Sequence, residues 1–350
     1  MQINTIGLDL AKTVFQVHGV DAAGKVVLAR QLRRAQVLAF FAKLSPCLVG
    51  MEACATAHFW ARALNKLGHT VRLMPPAYVK PYVRRGKNDA ADAAAICEAV
   101  TRPSMRFVPV KSVACQAALM AHRCRDLLIR QRTQLINALR GHLAELGLVA
   151  AQGNQGVVQL IARVRDETDE ALPQVVRLSL EPLLAQLEAL QVQIGALDKV
   201  IHAQHRASEA SRRLETIPGI GVIGATAIAA TITDPAAFKS GRDLAAWIGL
   251  VPRQNSSGGK ERLGSISKQG DRYLRKLLVV GASAVLKQAR AHPDKHPWLI
   301  QLLARRPAKV AIVALANKMA RIAWAVLARS ETYREPALAA SPATGPAMAA

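Results

Sequence analysis

The chain has 350 residues, with 47 Lys and Arg against 24 Asp and Glu and a formal charge of +23. Such an excess of cations points to a polyanionic partner, nucleic acid first, and 4 % aromatics is too few for binding mainly by base stacking. Five cysteines without a CxxC pair argue against a zinc site. Their scatter suits reduced thiols in a cytoplasm. The N-terminus MQINTIGLDLAK lacks a secretory layout, and apolar runs such as Leu277–Leu286 are too short to cross a bilayer. The length allows two or three domains.

Residues 3–9 read as a buried strand ending in Asp9. Strands at Val14–Val20 and Lys25–Gln31 follow, joined by a hairpin turn over 21–24. A short helix at Ala35–Leu44 precedes a strand at Cys47–Met51, with Glu52 at its end. A helix at His58–Leu67 stops at Gly68, and a fifth strand at Thr70–Met74 closes at Pro75-Pro76. The segment 84–99 becomes almost pure helix former after Asn88. This order of three strands in meander, helix, strand, helix, strand, helix predicts a ribonuclease H-like mixed sheet.

Asp89 and Asp92 lie three apart on one helix face, among alanines that leave it open. Taken singly they are first-turn acids favoured by the helix dipole, Asp9 is a turn acid and Glu52 a helix cap. In the expected fold strands one and four are neighbours. Asp9, Glu52, Asp89 and Asp92 then converge from three segments, a set able to hold two divalent ions that clamp a phosphodiester.

Residues 113–148 are mostly helix, with Leu128, Leu135, Leu139 and Leu146 near heptad spacing. The other face carries Arg123, Arg125, Arg130, Arg132 and Arg140, a candidate phosphate-binding ridge or a solvated surface. Gly153–Gly156 reads as a loop. A second long helix, about 174–213, has Leu183, Leu187, Leu190, Ile194, Leu197 and Ile201 at alternating four and three, the seam of an antiparallel coiled coil. In 214–233, Pro218-Gly219-Ile220-Gly221 reads as the turn of a helix-hairpin-helix unit or a plain tight turn. A helix at Phe238–Leu250 leads into a polar loop, Val251–Lys268. There Ser256-Ser257-Gly258-Gly259 lies between Arg253 and Lys260/Arg262, a pattern usual for a flexible connector. Lys268, and Arg272 and Arg275 of the helix Asp271–Leu286, extend the candidate nucleic-acid-binding set. Pro307–Ala328 is a last apolar helix, and from Glu335 the composition predicts disorder.

GLDLAK at 7–12, VGMEACAT at 49–56 and KNDAADA at 87–93 resemble the three motifs of the DEDD-type insertion-sequence transposases. These are relatives of the Piv DNA invertase with a RuvC-like catalytic domain, some of them bridge-RNA-guided recombinases. The stretch from Leu244 to Leu278 resembles the family's second conserved domain. The resemblance implies domains at 1–110 (RuvC-like), 111–213 (coiled coil), 214–330 (serine-bearing transposase domain) and a disordered tail at 331–350. It implies Mg²⁺ or Mn²⁺ on the four acids, donor and target DNA, a guide non-coding RNA and a dimer or tetramer. It also implies a serine joined to DNA as the intermediate. Ser257, directly before Gly258, is the expected nucleophile, Ser256 the alternative, and Ser265 and Ser267 are structural. Two other classes share the sheet: a junction nuclease using water, and an actin-like or sugar-kinase ATPase, faintly suggested by residues 7–13. A non-enzymatic scaffold has no need of converging acids.

Overall fold

The structure, a computed structural model, describes residues 2–83 and 88–335. It divides into two compact units, residues 1–117 with 232–237, and residues 118–231 with 238–350.

The first unit is built on a five-stranded sheet of β1 (Thr5–Asp9), β2 (Val14–Val20), β3 (Val26–Arg33), β4 (Leu48–Glu52) and β5 (Thr70–Met74). Its order is β3-β2-β1-β4-β5, with β1–β3 an antiparallel meander and β4 and β5 parallel to β1. Helices α1 (Val37–Phe41) and α2 (Ala57–Lys66) follow the third and fourth strands. Ile6, Leu8, Phe15, Val17, Val49, Met51, Trp60 and Leu64 are buried in one core. β1 and β4 are central, so they are apolar on both faces until the acid that ends each. A short helix α3 (Pro76–Val79), unexpected from sequence, precedes α4 (Asp89–Ala99). Arg84–Lys87 lie outside the described residues.

α5 (Val113–Ala144) begins in the first unit and runs into the second. α6 (Asn154–Arg165) replaces the loop expected at Gly153–Gly156. Its entry needs Gly153 at φ +100°, and a Cβ on Gly156 would meet the Ala151 carbonyl at 1.9 Å. The second long helix is interrupted. α7 (Gln174–Ala207) ends at Ser208, whose hydroxyl accepts from the Ser211 N–H and caps α8 (Glu209–Glu215).

Arg125 pairs with Asp198, and Arg132 donates to Gln191 at 2.8 Å. Seven residues forward on α5 are thus seven back on α7, an antiparallel register. The buried apolar residues of α7 are Leu180, Leu184, Leu187, Leu190, Ile194 and Ile201. Leu183 and Leu197 are only half-buried, and Leu146, past the end of α5, is exposed. The expected stripe was therefore off by one residue at Leu183/Leu184.

α9 (Val222–Thr231), α10 (Gly241–Ile248), α11 (Arg272–Ala291), α12 (Pro297–Arg305) and α13 (Ala308–Arg329) complete this unit. Between α10 and α11, the segment expected as a loop is a two-stranded ribbon of β6 (Pro252–Gln254) and β7 (Leu263–Ile266). Gly219, at φ +87°, lies so close to Gly281 that a Cβ on Gly281 would stand 1.9 Å from its carbonyl oxygen. α13, unlike Leu277–Leu286, is long and apolar enough to cross a membrane by length and composition, but Leu315, Met319 and Val326 are buried within the unit. Residues 331–335, expected to be disordered, are partly tied down. Tyr333 N–H donates to Thr216 Oγ1 at 2.9 Å; residues 336–350 lie outside the described residues.

Candidate metal centre and nucleophile

Gly7 and Asp9 share one face of β1 because strand side chains alternate. A Cβ on Gly7 would lie 2.1 Å from the Ala93 carbonyl oxygen and 2.5 Å from the Cys97 nitrogen, so the α4 backbone rests directly on the strand. Cys97 Sγ reaches the Thr5 carbonyl at 3.7 Å. Four helical residues rise about 6 Å, close to the roughly 6.6–6.8 Å of two strand residues. Cys97, Ala93 and Asp89 therefore step along α4 as Thr5, Gly7 and Asp9 step along β1. The first turn of the helix arrives at the last residue of the strand.

Gly50 repeats the device on β4, where it pairs with Gly7 and a Cβ would stand 2.7 Å from Val100 Cβ. Glu52 follows Gly50 by two residues as Asp9 follows Gly7. Asn88 fixes the helix start by accepting from the Ala90 N–H at 2.9 Å. Sequence reading gave no role to the two glycines. Glycine inside a buried strand is the signal of close backbone approach that marks them.

Carboxylate oxygens of Asp9, Asp89 and Asp92 lie within 4.8 Å of one another. Burial, then the charges of Asp92 and Asp89, push the Asp9 pKa up against a backbone hydrogen bond from Leu10. Glu52 stands outside this group of three but shares its field, its pKa raised by burial and then by Asp9 and Asp92. Among the described residues no Lys or Arg forms an ion pair with any of the four. Clustered carboxylates with no internal cation are the hard oxygen donors that Mg²⁺ or Mn²⁺ takes. The residues present fit such an ion.

The candidate serines belong to the second unit. Ser257 and Lys260 bridge at the ribbon tip, with Gly258 at φ +56° and Gly259 at φ +74° between them. Positive φ at both central residues makes a type I′ turn, which is why two glycines stand there. The supposed connector is thus a hairpin, and Gly-Gly was its sequence signal. Ser256 Oγ accepts from the Arg262 N–H at 3.1 Å and so braces the ribbon. Ser257 is exposed, and among the described residues its hydroxyl has no hydrogen-bond partner. Ser267 N–H donates to the Val251 carbonyl at 2.8 Å, at the ribbon base.

The expected basic set does not form one face. Arg123, Arg130, Arg253, Lys260, Arg262, Lys268 and Arg272 are exposed, although Arg130 also pairs with Asp126 and Arg253 donates to the Ser267 carbonyl. Arg125 is held by Asp198 and Arg132 by Gln191, both on α7. Arg140 ties the chain after α5 through the carbonyls of Ala150, Ala151 and Gly153. Arg275 donates to the Ile248 and Gln269 carbonyls at 2.6 and 2.8 Å, bracing both ends of the ribbon segment. Side chains of α7 claim Arg125 and Arg132, and backbone carbonyls claim Arg140 and Arg275, a use that spacing alone does not reveal.

A buried polar chain, also unforeseen, supports the first turn of α11, the helix that follows the ribbon. His122 on α5 is fully buried, with Nδ1 3.2 Å from Tyr273 Oη and Nε2 3.0 Å from Thr226 Oγ1. Burial, then Arg125, pushes the His122 pKa down to about 4, while burial first raises Tyr273 to about 12.

Residues 6–147 match a transposase family model of the DEDD, IS110 type, and residues 211–296 match the Transposase IS116/IS110/IS902 family. A protein of Pseudomonas aeruginosa named "Probable family 20 transposase" is 52 % identical, over 95 % of this chain and 99 % of its own. The transposase for insertion sequence element IS1111A of Coxiella burnetii is 42 % identical over 95 % and 92 %. The transposase for element IS1328 of Yersinia enterocolitica is 40 % identical over 95 % and 98 %.

Proposed function

Because this chain belongs to the IS116/IS110/IS902 family of insertion-sequence transposases, enzymes that cleave and rejoin DNA, we propose that it does so with a four-acid metal centre and a serine nucleophile. The observation that carries this reading is the meeting of Asp9, Asp89 and Asp92 within 4.8 Å, without a cation among the described residues. Asp9, Asp89, Asp92 and Glu52 hold the divalent ion, Mg²⁺ or Mn²⁺. When bound, that ion polarises the scissile phosphate and stabilises the leaving oxygen.

Ser257 Oγ attacks phosphorus and forms a phosphoserine bond. The bond to the departing sugar oxygen breaks, the serine proton is given up to solvent, and the sugar oxygen takes a proton from solvent and leaves as a free hydroxyl able to rejoin another strand. A serine hydroxyl is a weak nucleophile at neutral pH and needs such activation. Ser257 is preferred to Ser256 because its hydroxyl is exposed and unengaged, whereas that of Ser256 accepts the Arg262 N–H. Arg253, Lys260, Arg262, Lys268 and Arg272 meet phosphates around the ribbon, and Arg123 and Arg130 do so on α5.

In this reading the catalytic domain spans 1–110, an antiparallel coiled coil 111–213, a transposase domain 214–330 and a tail 331–350. The Pro218–Gly221 turn makes a helix-hairpin-helix phosphate contact, and the enzyme is a homo-oligomer of two or four chains. A structured RNA from the element, choosing sites by base pairing, is part of the same reading; it rests on the family resemblance and the charge of +23. The five free cysteines suit a reducing compartment such as a cytoplasm.

The test is a denaturing gel of labelled DNA carrying a phosphorothiolate that traps the adduct. The wild type is expected to give a covalent band, Ser257→Ala none with DNA binding retained, and Ser256→Ala a weakened one. A band surviving in Ser257→Ala moves the nucleophile to Ser256. Cleavage with no band from the wild type establishes the water-using nuclease instead.

A further inference from the structure

A groove of the second unit lies at the base of the ribbon, with a cavity volume of about 1210 Å³. That exceeds the roughly 300–1,000 Å³ of a site for one small molecule. Its floor is apolar, made by Val310, Val313, Ala314 and Ile322 of α13 with Leu250 beyond α10. Its rim is cationic: Arg242, Lys309, Lys318 and Arg321 line it, and no acidic residue does among the described ones. Trp298 stands at one side, 40 % exposed, with the Lys318 ammonium 4.5 Å from its ring centroid. Gly264, Ser265 and Ile266 of β7 form the wall, so the groove is continuous with the strand that runs up to the tip.

We propose that this groove is a docking site for single-stranded DNA. An apolar floor beneath a ring of cations matches a strand whose bases are unpaired, since the bases offer apolar faces while the phosphates stay at the rim. A duplex hides its base faces and presents phosphate to the protein, so it leaves the floor unused. Deoxyribose also suits the site better than ribose. The Ser240 hydroxyl is engaged with the Asp243 N–H and the Asn317 amide with the Leu250 carbonyl. Of the neutral polar side chains in the lining, that leaves the exposed Ser265 hydroxyl for a 2′-hydroxyl, and a hydroxyl buried without a partner is unfavourable. Placing the docked strand next to the scissile phosphate rests on Ser257 as nucleophile. From Lys260 to Ser265 is at most about 17 Å of extended chain, roughly five nucleotide rises of 3.4 Å.

The experiment measures anisotropy of dye-labelled oligodeoxythymidine and oligouridine of about ten nucleotides, within the usual span of single-strand sites, and of a duplex. It uses the full-length Ser257→Ala chain, so that no chemistry intervenes. Trp298→Ala is expected to weaken oligodeoxythymidine about five- to 150-fold, the loss of one stacked base, with an unchanged salt slope and unchanged duplex affinity. Lys309→Ala is expected to flatten the single-strand slope by about 0.7. Val310→Asp, at a position already 50 % exposed, tests the floor if Trp298→Ala misfolds by circular dichroism, and should weaken the same ligand. Unchanged single-strand affinity in a folded variant of either kind overturns the proposal. So does an equal loss for duplex, or oligouridine binding as tightly and as dependently on Trp298. Failure of the serine trap with these losses intact removes Ser257 but leaves the groove.

Discussion

Asp9 stands two residues beyond a glycine that lies under a helix backbone, whereas Ser257 stands at the tip of a ribbon whose strand residues are almost all exposed. The acid cluster is made by burial: Gly7 and Gly50 bring α4 onto the sheet, and like charges are forced together where they would otherwise separate. The ribbon is made by release. Its turn is held by two positive-φ glycines and by Ser256, its two ends by Arg275, and nothing covers the Ser257 hydroxyl among the described residues. A set of charges that must hold fixed distances needs packing behind it. A group that must reach a polymer backbone needs clearance in front of it. Perturbing each side should therefore fail in a different way.

The largest effect is expected at the acids. Asp9→Asn and Asp92→Asn keep side-chain shape and remove one charge from the cluster. Each should slow strand cleavage by about 10²- to 10³-fold, the scale for losing one electrostatic stabiliser, with DNA binding and thermal unfolding near wild type. The neutral side chain also removes a repulsion, so the apo variants should unfold no lower than wild type. Full cleavage by both variants in a titration of Mg²⁺ would end the four-acid reading.

The next effect tests the support behind the ribbon. His122 is held neutral in the folded state at a pKa near 4, below its ordinary 6.5. Between those values the unfolded chain takes up a proton that the folded chain refuses. Stability is fully present above pH 6.5 and is lost as pH falls toward 4, by up to about 3 kcal/mol. His122→Gln should lack this component. The difference in Tm between wild type and variant should therefore move in the variant's favour from pH 7 to pH 4.5. A difference that stays constant over that range would show that His122 titrates normally.

Gly7→Ala acts on the other side of the comparison. Its Cβ would meet backbone at 2.1 Å, which no side-chain rotation relieves. Overpacking of this kind destabilises by about 1–3 kcal/mol, and α4 must lift from β1. The variant should lose cleavage more than its modest drop in Tm accounts for, because Asp89 and Asp92 ride on the displaced helix. Gly24→Ala is the control, since nothing lies within 4 Å of its Cβ and only its positive φ of +78° is strained. Equal cleavage in the two variants would separate the acids from the glycine packing.

Much of the first side was legible because its information is local and periodic. Alternation and turn residues gave all five strands nearly to the residue at β2 and β5, and strand ends gave the acids. The close approach at Gly7 was not legible, because the residue that demands it is eighty-six positions away, at Ala93. On the second side the apolar period was visible but its phase slipped by one residue at Leu184, where Pro182 and neighbouring leucines offer two overlapping stripes. The ribbon was hidden by composition, since a short exposed hairpin has no buried face to impose alternation. The carbonyl contacts of Arg140 and Arg275 were hidden for a different reason: a guanidinium spent on backbone carbonyls looks, in sequence, the same as one waiting for phosphate.

That last ambiguity yields the smallest and sharpest prediction. Among the arginines of α5, Arg123 is exposed with no partner recorded among the described residues, and Arg130 is 67 % exposed although near Asp126. Arg125 is 20 % exposed and held by Asp198, and Arg140 is bound to three carbonyls. A phosphate contact releases counterions, so each true contact removed should flatten the log–log salt dependence of duplex binding by about 0.9. Arg123→Ala and Arg130→Ala together should therefore flatten the slope by nearly two while leaving Tm unchanged, since exposed pairs contribute little to stability. Arg125→Ala and Arg140→Ala should do the reverse, keeping the slope and lowering Tm, because the first strands Asp198 and the second leaves carbonyls without donors. A flattened slope in the second pair with no change in the first would mean that the helix presents its other face to DNA.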